Sequence, residues 1–297
     1  APELLREASR CEVLGFYAGF PDDLSPEDIA LWPELFSAQD QSKNANPWSW
    51  EQSAISILLP HLDDLRKAAL RLKDHALTQG ESGGLEDLRA MRRISVFCRE
   101  HPTLINQLVG MSILSLEVDT ISQLLVAHGM YCSDEVLAEF EGELGLALDA
   151  LQPLNLEGEY IQFEDVLQRV YSDDGAGNGI FIGEAGTWSV DDGAGVTGFP
   201  IVVDHRLNSL AAPFLAQWMP DRKTTRELYA STLAAQVEYC KTPLWDRTER
   251  KAFDGTGNLI IDLLLPDLTK AFDQIQLKQM KIKSMSLVLA AYRERVR

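Results

Sequence analysis

Two Asp-Asp-Gly clusters hold the residues of this 297-residue chain best suited to chemistry. The first is Asp173-Asp174-Gly175-Ala176-Gly177-Asn178-Gly179; the second, eighteen residues on, is Asp191-Asp192-Gly193-Ala194-Gly195. Numbered as a calcium loop from Asp174, position 1 is an aspartate, position 5 is Asn178, and position 6 is Gly179, the glycine of the sharp turn. Ile180 would offer its carbonyl at position 7. Position 3 is Ala176 and position 12 is Ala185, with Glu184 one residue short of the bidentate acid. The candidate calcium ligands are therefore Asp174, Asn178, Ile180 and Glu184. Two side-chain ligands are missing, so the competing reading is a glycine-rich surface loop with no ion and no cofactor. The second copy has Val196 and Thr197 where ligand and glycine belong, a weaker pattern still.

Other chemistries find less support. No Gly-Lys-Ser/Thr follows the glycines, so they do not form a phosphate loop. The histidines (His61, His75, His101, His128 and His205) lack metal-ligand spacing. Gly110-Met111-Ser112-Ile113-Leu114 lacks the second glycine of a nucleophile elbow and falls inside an expected helix. A hydrolase would have to draw on acids of the irregular region, Asp173, Asp174, Asp191 and Asp192, together with His205. That requires all of them to converge in one pocket.

The elements that would position these residues read as helices. Ile55, Leu58, Leu62, Leu65, Ala69, Leu72 and Ala76 fall at steps of three and four, one helical stripe, with Pro60 either starting the long helix, the favoured reading, or kinking it. Gly80 to Gly84 should stop it. A second helix is expected over about 85–99, with Leu85, Leu88, Met91 and Ile94 inward. His101-Pro102-Thr103 then separates it from a third over about 104–127. The third is apolar on more than one face and should lie between neighbours, with Gly110, Ser112 and Ser115 allowing close approach. Further helices are predicted over 134–151 (capped by Ser133), over a short stretch around Phe163 to Val170, and over 205–219. The last two are 222–241, with Leu228, Leu233, Ala235 and Tyr239 buried, and a long closing helix from Pro266. The expected fold is all-α: antiparallel helical hairpins, either tetratricopeptide-like or an irregular bundle, with one Gly/Asp-rich loop. The tetratricopeptide consensus itself is absent. The expected organisation is 1–54, an N-terminal helix and Pro/Trp-rich lid carrying Trp48 and Trp50; 55–171, the hairpin core; 172–204, the loop; and 205–297, the C-terminal helices.

Composition narrows the partners. Lysine and arginine number 27 against 45 acids, a net charge of −18, which argues against a phosphate-tracking surface and against nucleic acid. From Asp267 onward the balance reverses to seven basic against three acidic residues. Such a helix is expected to dock on the acidic body or to be solvated. Cys11, Cys98, Cys132 and Cys240 form no metal or redox motif and read as buried free thiols. No unbroken run of eighteen apolar residues exists, so no membrane span is expected. The first residue is Ala1, read either as the product of a removed signal or anchor or as an internal start.

The order of features resembles a large family of mostly helical proteins of planctomycete-type bacteria. The likeness rests on Leu58-Leu59-Pro60-His61-Leu62, Gly84-Leu85-Glu86-Asp87-Leu88 and the run His101 to Gly110. It continues through Tyr171-Ser172-Asp173-Asp174-Gly175 with Gly177 and Gly179, Asp221-Arg222 with Thr224-Thr225, Pro243-Leu244-Trp245, and Leu289-Ala290-Ala291-Tyr292-Arg293. The resemblance implies an N-terminal membrane anchor or export segment outside this sequence, a further segment after the Tyr292-Arg293 helix, and a periplasmic or envelope-tethered location. It implies no reaction. Ala176 stands where such proteins often carry an acid or amide. Together these readings predict a non-enzymatic helical scaffold or protein-interaction module of the cell envelope, its protein partners met through the Trp48/Trp50 region or the closing helix. A hydrolase and a calcium-stabilised structural module are the alternatives.

Overall fold

Gly80 shows how the sequence sets the architecture. In a computed structural model, which describes residues 2–11, 60–129, 131–151, 154–182, 217–247, 256–266 and 268–296, the element Pro60–Gly83 is broken at this glycine (φ 71°, ψ −160°). A left-handed φ costs a residue without Cβ nothing, so the first long helix stops here and the chain reverses.

Numbered over the described residues, the elements are α1 (Pro2–Ala8), α2 (Pro60–Gly83), α3 (Leu85–Cys98), α4 (Leu104–His128), α5 (Asp134–Ala150), α6 (Glu157–Val170), α7 (Arg222–Lys241), α8 (Leu259–Leu264) and α9 (Leu268–Val296). A single turn of 3₁₀ helix, Leu244–Asp246, follows α7. The fold is all-α; among the described residues the one sheet-like pairing is an antiparallel bridge between Tyr171 and Phe181. The chain divides into two compact units. One comprises Ala1–Val13, Leu58–Glu164 and Lys223–Arg297; the other comprises Leu14–Ile57 and Asp165–Arg222.

In the larger unit α3 and α4 form an antiparallel hairpin. Thr103 caps α4, its hydroxyl accepting from the Asn106 amide, and Pro102 keeps the turn extended. Ser95 Oγ donates to the Gly110 carbonyl at 2.8 Å, and a Cβ on Gly110 would run into the Ser95 carbonyl. Gly110 is thus the point of closest approach of the two helices. Ser133 caps α5 through the Val136 amide.

Two apolar clusters make the core. One joins α3, α4, α5 and α9 through residues such as Leu88, Leu114, Ile121, Phe140, Ile282 and Leu289. The other joins α2, α3 and α4 through Leu62, Leu72, Met91, Ile94 and Ile113. The helix α4 serves both, which explains why its sequence is apolar all round. Each such leucine or isoleucine is worth about 1.5–3 kcal/mol of transfer free energy.

This same helix bears on the expectation of no membrane span, which rests on the absence of an unbroken run of eighteen apolar residues. By length and composition α4 qualifies, with 25 residues and a mean hydropathy of 1.4 in its most apolar window. Small polar residues interrupt any strict apolar run while leaving the average high. Even so, 56% of that window is buried inside the protein, and Asn106, Gln107, Glu117 and Thr120 are buried with it. A core helix passes the same test as a spanning one.

Two further expectations shift. The buried stripe of α7 is Thr225, Tyr229, Leu233, Gln236 and Cys240, whereas Ala235 is exposed and Leu228 half-buried. Polar Thr225 and Gln236 occupy stripe positions, so apolar residues alone gave the wrong phase. The closing helix begins at Leu268, two residues past Pro266. Cys98, Cys132 and Cys240 are buried and free, and Cys11 is free and exposed. The regions carrying Trp48, Trp50, Ile201 to Val203 and most of 205–219 lie outside the described residues.

Candidate functional site

The first Asp-Asp-Gly loop, in the smaller unit, is held closed by its own backbone. Ser172 donates its amide to the Ile180 carbonyl (2.9 Å), and Ile182 donates to the Val170 carbonyl (2.9 Å). Asp174 Oδ1 accepts from the amides of Ala176 (2.8 Å) and Asn178 (2.9 Å), and these bonds hold its carboxyl below the usual carboxylate range. Asp173 Oδ1 accepts from the Gly175 amide (2.8 Å), and its Oδ2 lies 3.4 Å from Arg222 Nη1. Gly175 and Gly177 take left-handed φ values (79° and 83°), and Gly179 sits so close to the Ser172 carbonyl that a side chain would collide.

Of the four calcium-ligand candidates, Asp174 and Asn178 face each other across this turn, and the Ile180 carbonyl is bonded to Ser172. Glu184 lies outside the described residues, as do the second Asp-Asp-Gly copy and His205. Asp173 and Asp174 are exposed. Among the described residues no group of three or more His, Cys, Asp or Glu side chains could hold a metal ion.

Sequence reasoning missed two polar clusters buried in the larger unit. In the first, fully buried Asp87 accepts from Arg6 Nε (2.6 Å) and pairs with His75 Nδ1 (2.7 Å), tying α1 to the α2–α3 hairpin. In the second, Arg92 bridges Glu117 (2.9 Å) and Glu143, and Arg89 Nε reaches the other Glu143 oxygen at 2.8 Å. Glu117 is wholly buried. Desolvation pushes its carboxyl up to about 8, against the opposing pull of Arg92. Its Oε2 has no hydrogen-bond partner among the described residues. Both clusters are lodged between packed helices and act as helix-to-helix clamps.

The closing helix shows the opposite arrangement. It is 29 residues, about 43 Å long at 1.5 Å per residue. One face, Leu268, Ala271, Ile275, Ile282 and Leu289, is buried. Its basic residues fasten it to the acidic helices: Arg293 to Asp134 (2.7 Å) and Glu141, Lys281 to Asp119, and Lys278 to the Met111 carbonyl (3.0 Å). The docking of a basic helix on an acidic body is therefore observed. Gln276 further receives the Leu244 amide (2.9 Å), and Arg247 pairs with Asp273, clamping the Trp245 loop to the same helix.

On the side turned away from the core, Leu277 (49% exposed), Met280 (45%), Leu287 (75%) and Val288 (45%) stand in solvent, with exposed Ser284 and Ala291 between and beyond them. Other exposed apolar residues on the described helices, such as Val126 on α4 or the adjacent Tyr160 and Ile161 on α6, do not recur at helical spacing, and such scattered exposure is ordinary. Those on α9 do recur. Positions 277, 280, 284, 287 and 291 alternate by three and four, the spacing of a helix-pairing seam. Counting that interval in the sequence would have found the seam, because the buried stripe of the same helix falls at different positions.

A comparison of the chain with family models, with curated proteins and with solved structures finds no match.

Proposed function

We propose that this chain is a non-enzymatic helical interaction module that works by presenting the outer face of α9 to another protein. The observation that carries this reading is the second apolar face of a helix whose first face is already spent on the core. Leu287 contributes little to folding at 75% exposure, and large aliphatic side chains kept in water at regular spacing are what a docking surface needs. Trp245, 69% exposed on the loop clamped to α9, adds an aromatic side chain of the kind that anchors interfaces. An envelope or periplasmic setting is proposed from the family resemblance alone, and cell fractionation tests it.

The test is site-specific photo-crosslinking in cells, with the reactive side chain placed in turn at positions 280, 287 and 126. Adducts with a discrete protein at 280 and 287 but not at 126 support the module. Val126 is the control because it is 84% exposed yet lies off the seam. Equal labelling at all three positions, or none at 280 and 287, overturns it.

A further inference from the structure

The rims of the seam identify what it pairs with. With Leu277, Ser284 and Ala291 as one set of core positions and Met280 and Leu287 as the other, the flanking positions on one side are Lys281, Val288 and Arg295. On the opposite side they are Gln276, Lys283 and Ala290. Every charged residue among these six is basic. Lys283 and Arg295 are exposed, and Lys281 remains half in solvent while paired with Asp119. Two acids bound the seam at the next positions of the Met280/Leu287 set: exposed Glu294 ends it, and Asp273 at the other end is taken up by Arg247. In paired helices the flanking charges choose the partner.

A second copy of the chain would bring an equally basic rim against this one and add like charges. An anionic membrane would attract the rims, but it would also meet a protein whose remaining surface gives it a net charge of −18. A helix with apolar residues at the same spacing and acids on its flanks satisfies both the seam and the rims.

We propose that the outer face of α9 docks an acidic amphipathic helix of another protein, with Met280 and Leu287 in the seam and the exposed Lys283 and Arg295 pairing with the partner's carboxylates. This rests on the reading of α9 as an interaction face. It adds the chemistry of the partner.

The experiment uses the full chain and two synthetic helices of about three heptads, both with leucine at the core positions. One carries glutamate at all flanking positions and the other lysine. Binding is followed by fluorescence anisotropy at low and high salt, with sedimentation equilibrium of the chain alone and flotation with vesicles of anionic lipid alongside. The acidic helix should bind about fivefold or more tightly than the basic one, from two exposed charge pairs. Salt should narrow that gap. Met280→Asp with Leu287→Asp should abolish binding while leaving the far-ultraviolet circular dichroism unchanged. Lys283→Glu and Arg295→Glu together, which leave the Lys281–Asp119 anchor in place, should reverse the preference.

Equal or preferential binding of the basic helix overturns the partner assignment while leaving the interaction face standing. So does self-association, or vesicle binding, that the two aspartate substitutions remove. Failure of both helices, with no self-association and no vesicle binding, overturns the face itself. If the double variant loses its helical signal, Leu287→Ser alone, at the most exposed position, takes its place and must weaken the acidic helix.

Discussion

The α3–α4–α5 interface and the outer face of α9 invert each other. In the first, charges that ordinarily face water are buried: Glu117 has no exposed surface, and Glu143, Arg92 and Arg89 close around it. In the second, aliphatic side chains that ordinarily face inward stand in water. The first arrangement is tolerable because Glu143 lies between two cations, Arg89 and Arg92, while burial lets Glu117, bonded to Arg92, keep its proton up to about pH 8. Two ions sequestered together cost far less than one alone. The second is tolerable because α9 is already anchored by its other face and by Arg293 and Lys281. The departures from polar-outside, apolar-inside thus divide by role, the buried one holding helices in register and the exposed one remaining available.

The sharpest way to break that contrast is Arg92→Ala, which leaves Glu117 with no partner and Glu143 with Arg89 alone. Chemical denaturation should show a loss of about 3–5 kcal/mol. A loss below about 1 kcal/mol would mean that the cluster is not the clamp described.

Next comes a matched pair on α9. Leu289→Ala, at a fully buried position, should cost about 2–5 kcal/mol, whereas Leu287→Ala, two residues earlier and 75% exposed, should stay within about 0.5 kcal/mol. Equal costs would show that the outer face is part of the core after all.

A smaller effect separates Glu117 from the ion pairs around it. Its carboxyl titrates near 8 in the folded protein against an ordinary value of 4.5. Between those values the native state keeps a proton that the unfolded chain has released. The contribution of Glu117 to stability therefore falls as pH rises through that window. Glu117→Gln should flatten this part of the stability–pH curve, and an unchanged slope would reassign the titration to another group.

The smallest expected effects concern the Asp-Asp-Gly loop. Asp174→Ala should speed amide hydrogen exchange at Ala176 and Asn178 with little change in overall melting. Adding calcium, or a chelator, should leave the melting temperature unmoved. A calcium-dependent rise would instead make the loop a binding site and revive the calcium-stabilised alternative.

Much of this was legible in the sequence, for a physical reason. Apolar residues at steps of three and four, Pro60, Gly80, Pro102 and the caps Thr103 and Ser133 are local signals, and local backbone preferences obeyed them. The apolar ring of α4 correctly announced a helix with neighbours on two sides. Asp87, Glu117 and Glu143 escaped notice because a charge in a helical pattern reads as solvated unless its counter-charge is known. Those counter-charges, Arg6, Arg89 and Arg92, come from other helices. Tyr229 was missed on α7 for a related reason: its stripe is completed by Thr225 and Gln236, whose burial depends on tertiary surroundings, Thr225 receiving a hydrogen bond from Asn258 (3.1 Å). The α9 seam was open to view as spacing. Whether that spacing faces inward or outward is decided by which stripe of the helix meets the core.

The bond between Lys278 and the Met111 carbonyl joins residues 167 positions apart, and Arg293 meets Asp134 across 159. On the ribosome, α4 and α5 therefore emerge long before the helix that covers them. At about 5–20 residues per second, Leu114, Phe140 and Leu144 wait on the order of ten seconds for Ile282 and Leu289 to be made. During that interval the nascent chain exposes the same kind of apolar surface that the finished protein keeps on the outside of α9. The stage of its life at which it is most prone to clump, or to be met by chaperones, is the one just before its closing helix arrives.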